Sequence, residues 1–355
     1  MTKLNIRLTD APKPKYEDES KLGFGRLFTD HMFMMDYDAG RGWHDARIVP
    51  YDNFVLDPAA LVFHYGQAIF EGLKAYRNEK GEVLLFRPRD NFLRLNSSAD
   101  RLCIPPIDVD QALENLLELI RVERDWIPSS PGTSLYIRPT IIATEAALGV
   151  KASDKYAFFI ILSPVGAYYA GGMKPVRIYV EDKYVRAVPG GTGYTKAAAN
   201  YAASLKAGEE AHEKGFSQVL WLDGATHTTI EEVGAMNMFF VIDGEVLTPA
   251  LNGSILPGIT RDSILRLARS MGLKATERTI RIQEVFDAHD AGKLDEAFGT
   301  GTAAVISSVG EMTWKERTIE INGGKMGKYS QIFYDRLTGI QMGREEDPFG
   351  WVVRL

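Results

Sequence analysis

AVPGGTGYTKAAANYAASL, residues 187–205, holds a single charge, Lys196, in nineteen residues. A glycine loop leads into it and small residues follow it, a pattern that reads as a loop opening a helix from about Lys196 to Lys214. An ammonium in apolar surroundings is disfavoured, so this amine is expected to give up its proton more readily than a surface lysine. A neutral lysine amine attacks carbonyl carbon and forms Schiff bases. The alternative is a lysine that snorkels from a helix end into water. Composition leaves both open.

Working outward, Leu256-Pro-Gly-Ile-Thr-Arg-Asp-Ser263 runs from Pro-Gly straight into a helix. Such an N-terminus offers N–H groups and partial positive charge to a phosphate, with the Thr260 hydroxyl beside them. It equally fits a plain N-capped helix. Phe298-Gly-Thr-Gly-Thr-Ala-Ala304 loosely matches a dinucleotide fingerprint, but Val305–Val309 reads as a strand, and too little chain follows for a dinucleotide domain. A Gly/Thr loop with exposed amides can still hold a carboxylate or phosphate. Glu231 and Glu232 adjoin an apolar strand and are either exposed at a turn or held against a cation. A reactive lysine, an acid and two anion loops together suit a phosphorylated aldehyde such as pyridoxal phosphate.

The full length, 355 residues, fits two domains. Hydrophobic residues at 45% and charged residues at 25% are those of a globular chain. The net charge of -6 argues against nucleic-acid and anionic-membrane partners. One cysteine, Cys103, excludes an internal disulfide and a multi-cysteine zinc site, and the six histidines lack metal-ligand spacing. No targeting signal and no apolar run of membrane-spanning length is seen, so the expected location is the cytoplasm.

Strands are expected from Leu61 to Phe86, at Ser134–Ala143 (bent or at an edge because of Pro139), at Tyr156–Ser163 and at Val176–Glu181. A helix is expected over Asp108–Trp126, with Asp108 and Gln111 as its cap. Later elements are strands at Gln218–Leu222, Met236–Ile242, near Ala297 and at Ala304–Val309, a hairpin turn at Asp243-Gly244, and helices at Thr260–Met271 and Tyr329–Gln341. The Gly- and Pro-rich stretch ending at Pro175 reads as a linker. The class is α+β, with domains at 1–167 and 176–355 and a linker at 168–175.

GGTGYTKAAANYAASL, TIEEVGAMN, LNGSILPGITR and AFGTGTAA, in that order and spacing, resemble the class IV, or fold-type IV (D-amino acid aminotransferase-like), pyridoxal-phosphate aminotransferases. HYGQAIFEGLKAYR, LFRPRDNFLRL and SLYIRP in the first half narrow the resemblance to branched-chain amino acid aminotransferases. It runs from GFGRLFTDHM at Gly23 nearly to the C-terminus.

The resemblance implies a role for each matching position. Lys196 would bind pyridoxal 5′-phosphate covalently and move the Cα proton. Tyr201 would bond the cofactor's phenolic oxygen, and Glu232 its ring nitrogen. Arg94, Ile259, Thr260 and Thr302 would bind its phosphate. Thr302 and Ala303 would face the substrate carboxylate. Phe24, Tyr65, Phe70, Tyr136 and Tyr168 would line the side-chain pocket, and Arg138 would receive the second carboxylate of glutamate. Arg94 also has a plainer reading as a surface arginine near Arg87, Arg89 and Arg101.

There are two departures from the family pattern. A Cys-x-x-Cys of mammalian relatives is Ala304 and Ser307 here, so no thiol switch is expected. A threonine that often follows E-V-G is Ala235. The implied reaction is a ping-pong exchange between L-leucine, L-isoleucine or L-valine and 2-oxoglutarate in a homodimer. The rivals on the same fold are a D-amino acid aminotransferase and an aminodeoxychorismate lyase, against which the first-half motifs argue.

Overall fold

The computed structural model describes residues 3–166 and 174–355. Tyr168 and most of the expected linker lie outside them. The chain forms two compact units: Met1–Ala170 with Thr195–Ala199 and Ile340–Leu355, and Gly171–Tyr194 with Asn200–Gly339. The sequence reading puts Lys196 with the second domain. Its segment instead packs in the first unit, where Phe70 and Ser98 take up its backbone groups.

The first unit runs β1 (Asn5–Ile6), β2 (His31–Asp38), β3 (Gly42–Pro50), α1 (Leu61–Tyr65), β4 (Ala68–Phe70), β5 (Leu73–Arg77), β6 (Val83–Phe86), α2 (Pro88–Arg101), α3 (Val109–Val122), β7 (Ser134–Ala143) and β8 (Lys155–Val165). Its sheet has the order β1-β3-β2-β8-β7-β5-β6, closed at the far edge by Val352–Arg354, with β4 also on β7. Period-two alternation sends Leu135, Ile137 and Ile141 of β7 into one core with Phe92 and Leu95 of α2 and Leu116, Leu119 and Ile120 of α3. Tyr136 and Arg138 fall on the opposite face. Asp108 caps α3 as expected, accepting the Gln111 N–H at 3.0 Å.

Two expectations give way here. Leu61–Tyr65 is a short helix rather than a strand, stopped by Gly66 in the left-handed region at φ 60°. Its apolar, aromatic composition fits either state. Strand β7 is interior rather than at an edge. Pro139 is tolerated because that flank passes there from β5 to β4, and the Glu71 N–H donates to its carbonyl at 2.8 Å.

The chain continues with β9 (Val176–Glu181), α4 (Ala198–Ala203), α5 (Leu205–Glu213), β10 (Gln218–Leu222), β11 (Ile230–Val233), β12 (Met236–Ile242), β13 (Glu245–Pro249), α6 (Ile259–Ser270), β14 (Ala275–Arg278), α7 (Ile282–Asp290), β15 (Leu294–Gly301), β16 (Val305–Trp314), β17 (Arg317–Glu320), α8 (Lys328–Gln341) and β18 (Val352–Arg354). Six strands close on themselves in the order β11-β10-β9-β16-β15-β12, because β11 also pairs with β12. This barrel extends through β13 to β14. Ile178, Leu220, Met238, Phe240 and Met312 share a core with Val285 and Phe286 of α7.

Asp243 and Gly244 both take positive φ, 53° and 73°, and make the expected tight turn between β12 and β13. The helix expected over Lys196–Lys214 is two, α4 and α5. It breaks at Ser204, whose hydroxyl donates to the Tyr201 carbonyl at 2.7 Å. Both units join a largely antiparallel sheet to helices, the α+β class.

Asp108→Ala removes the α3 cap. It should cost about 1 kcal/mol and lower the first unit's melting temperature by roughly 2–4 °C, read by scanning calorimetry.

Candidate active site

In the first unit the Lys196 peptide is held from both sides. Its N–H donates to Ser98 Oγ at 3.0 Å, and its carbonyl accepts the Phe70 N–H at 3.1 Å. Ala197 forms a bridge with Ile69 of β4. The amine is turned inward, 4.5 Å from the centre of the Phe70 ring. Burial lowers its pKa to about 8; the Glu71 carboxylate opposes that shift and the Arg94 and Arg138 guanidiniums add to it. The snorkelling alternative is therefore not the one the structure adopts.

Arg94, on α2, is buried, so the plainer surface reading does not hold. Its Nε and Nη2 donate to the two oxygens of the fully buried Glu71 at 2.8 and 2.9 Å. A bidentate pair of this kind fixes the guanidinium plane. Sequence reasoning misses Glu71, although it lies within the quoted HYGQAIFEGLKAYR.

Arg138 Nη2 donates to the Tyr136 hydroxyl at 3.1 Å, and its guanidinium covers the Phe70 and Tyr136 rings at 4.7 and 5.2 Å. Phe24 meets Tyr136 edge-on at 4.9 Å. Gly72 makes this possible, since a Cβ there would lie 2.1 Å from the Tyr136 hydroxyl. A buried lysine, Lys74, stands opposite Tyr136 in the β5–β7 register, and burial lowers its pKa to about 8. Tyr65 stands apart from this group through its hydroxyl, which donates to the Leu148 carbonyl; Tyr65 and Phe24 are both exposed. Tyr168 lies outside the described residues.

In the second unit Glu232 is buried on β11, where the barrel closes against β12. One carboxylate oxygen accepts the Leu256 N–H at 2.6 Å, and the other pairs with Arg186 Nε at 3.0 Å. Of the two sequence alternatives, the cation-held one is what the structure contains. Arg186 also donates to the Ser254 and Gly193 carbonyls at 3.0 and 3.1 Å. It lies far before Glu232 in the chain, and no local pattern signals the pairing. Glu232 and Tyr201 line one small cleft with Arg186, Asn200, Ser204, Gly234 and Ala235.

Ile259 and Thr260 begin α6 directly after Gly258, which brings no side chain to cap the helix. A Cβ at Gly258 would lie 1.9 Å from Asn237 Oδ1, so the backbone there can pass only as glycine. Thr302 and Ala303 sit on the turn joining β15 to β16. That turn ends at Val305 with φ 62°, a conformation that costs a β-branched residue about 1–3 kcal/mol and that collects at functional sites. Among the described residues no cluster of His, Cys, Asp or Glu has the makings of a metal site, and no helix is long and apolar enough to cross a membrane.

Residues 68–312 match the family described as amino-transferase class IV. Branched-chain-amino-acid aminotransferase 2 of Bacillus subtilis (strain 168) is 59% identical, over 100% of this chain and 98% of the relative. Branched-chain-amino-acid transaminase 1 of the same organism is 56% identical over 100% of both. The solved branched-chain amino acid aminotransferase from Escherichia coli gives a TM-score of 0.73 at 27% identity, covering 91% of this chain and 98% of that one.

Arg186→Met should leave Glu232 buried without its cation. Removing one partner of a buried pair costs about 3–5 kcal/mol, so the urea midpoint should fall accordingly. Adding Glu232→Gln should recover part of the loss, because the two residues act as one pair.

Proposed function

The chain belongs to the class IV aminotransferases and has their fold-type IV structure; from that premise we propose that it is a branched-chain amino acid transaminase using pyridoxal 5′-phosphate. It would exchange amino groups between L-leucine, L-isoleucine or L-valine and 2-oxoglutarate. The observation that carries this reading is the Lys196 amine, half-buried against Phe70 with its pKa lowered to about 8. An amine of that kind is a nucleophile near neutral pH.

The donor set fits the cofactor's chemistry. There is an amine for an aldehyde, a buried carboxylate held by Arg186 for a ring nitrogen, and Arg94 with an uncapped helix start for a phosphate. When bound, the cofactor supplies an aldehyde to hold the amino acid and a ring that takes up electrons from its Cα. Lys196 would hold that aldehyde and carry the proton at Cα. Glu232 would keep the ring nitrogen protonated, and Tyr201 would bond the phenolic oxygen. Arg94, anchored by Glu71, would bind the phosphate together with Ile259, Thr260 and Thr302.

The Thr302 and Ala303 amides would orient the substrate carboxylate. Phe24, Phe70 and Tyr136 would exclude water from an aliphatic side chain, and Arg138 beside them would meet the second carboxylate of glutamate. Tyr65, exposed in the single chain, belongs to this pocket only on the strength of the resemblance, as does Tyr168.

A homodimer in the cytoplasm is part of the reading. Phe63, Tyr65, Leu148 and Val150 are exposed on the first unit. Their segments adjoin through the Ala60–Ala146 bridge and the Tyr65 hydroxyl. Exposed apolar side chains on adjoining segments are a feature of interaction surfaces, and a second copy would cover them.

Borohydride reduction of the purified protein followed by peptide mapping should find the cofactor on Lys196. Lys196→Ala should fold, lose the reducible link and lose almost all turnover. A label on Lys74, whose amine is similarly shifted, would overturn the assignment.

Donor selectivity tests the substrate class. Methylene burial gives about 1–3 kcal/mol per group, so kcat/KM for leucine, isoleucine and valine should lie within about 200-fold of one another. Alanine should fall well below them, aspartate lower still, and D-leucine should be inert, with glutamate remaining a substrate. Aspartate or a D-amino acid outrunning leucine would refute the branched-chain reading and leave the cofactor reading standing.

A further inference from the structure

Strand β11 carries an irregularity. Its register with β10 moves from Leu220↔Val233 to Leu222↔Ile230, so three residues of one strand face four of the other. The extra residue is a β-bulge, a device that re-aims side chains. Glu231 and Glu232 are the two residues inside it.

Both carboxyl groups turn to the same segment, 252–256. Glu231 Oε1 accepts the Ser254 hydroxyl and, at 3.3 Å, the Asn252 amide. Glu232 Oε1 accepts the Leu256 N–H at 2.6 Å. The Ser254 carbonyl accepts Arg186 Nη1, and Arg186 Nε pairs with Glu232 Oε2. A closed ring of contacts therefore runs from Glu231 through Ser254 and Arg186 to Glu232, its neighbour in sequence. The other oxygen of Glu231 is buried with no hydrogen-bond partner. A half-satisfied buried acid is costly.

We propose that Glu231 is a positioning residue for cofactor binding: by holding Ser254 it fixes the segment that aims Glu232 and leads into Ile259 and Thr260. Glu231 does not touch the cofactor in this role. The inference rests on the pyridoxal-phosphate reading above.

The test uses apoprotein prepared from the wild type and from Glu231→Ala, Glu231→Gln, Ser254→Ala and the Glu231→Ala/Ser254→Ala double variant. Each is titrated with pyridoxal 5′-phosphate and followed by its visible absorption band and its pH dependence. Urea midpoints are measured in parallel. Glu231→Ala should weaken cofactor binding by about tenfold and shift the pH at which the band changes. Ser254→Ala should weaken binding about three- to tenfold. The double variant should be no worse than Glu231→Ala within about twofold, because both changes break one linkage.

Glu231→Gln keeps an oxygen for Ser254 and should stay within about threefold of the wild type. Wild-type affinity and spectrum in both single Ala variants, even with lowered urea midpoints, would overturn the proposal and leave Glu231 a structural residue. If Glu231→Ala fails to fold, Ser254→Ala decides alone, since it leaves the Ser254 carbonyl in place. A wild-type apoprotein that binds no pyridoxal phosphate would sink the cofactor reading instead, and this inference with it.

Discussion

A carboxyl group taken out of water is costly unless donors or a cation meet it. Six glutamates among the described residues live under that constraint: Glu71, Glu123, Glu181, Glu231, Glu232 and Glu296. Each has become a tie between segments of its own unit. Glu71 joins the start of β5 to α2 through Arg94. Glu123 receives the His31 ring and the Asp30 N–H. Glu181 closes a turn on the N–H groups of Lys183 and Tyr184. Glu296 gathers the start of α8 through Tyr329 and Ser330, and Gly327 leaves it room. Two of these ties hold candidate site residues, Glu71–Arg94 in the first unit and Glu232–Arg186 in the second. Each pair is fixed in direction within its own unit, and such preorganisation is where an active site gains its electrostatic advantage.

What the sequence reveals and what it hides follow from range. A lysine alone in an apolar stretch, a capping Asp108 and an Asp-Gly turn are local facts, and their structural outcomes are local. Arg94 is legible through its motif, but its partner is not, because the pair closes across 23 positions. Arg186 has no signal at all: its three partners lie in the glycine loop, in the 252–256 segment and on β11. The helix Pro88–Arg101 does carry a signal, a proline at the first helical position, yet the strand reading that ends at Phe86 stops just short of it. Leu61–Tyr65 misleads because apolar aromatic composition is neutral between helix and strand over so short a run, and only Gly66 marks the difference. The bulge at Glu231 follows from barrel geometry and not from composition.

The C-terminal strand has a consequence for how the protein is made. Strand β6 borders β5 on one side and Val352–Arg354 on the other. Trp351 and Leu355 add backbone bonds around that pairing, and Arg354 pairs with Glu82. The unit that leaves the ribosome first is therefore the last to be completed. Until residues 352–354 emerge, Val83–Phe86 presents an apolar, unpaired edge of the kind that recruits other chains. At about 5–20 residues per second, the nascent chain carries that open edge for roughly ten to fifty seconds while the whole second unit is synthesised. Over that interval the β6 edge is open to pairing with other chains in a way that the finished fold is not.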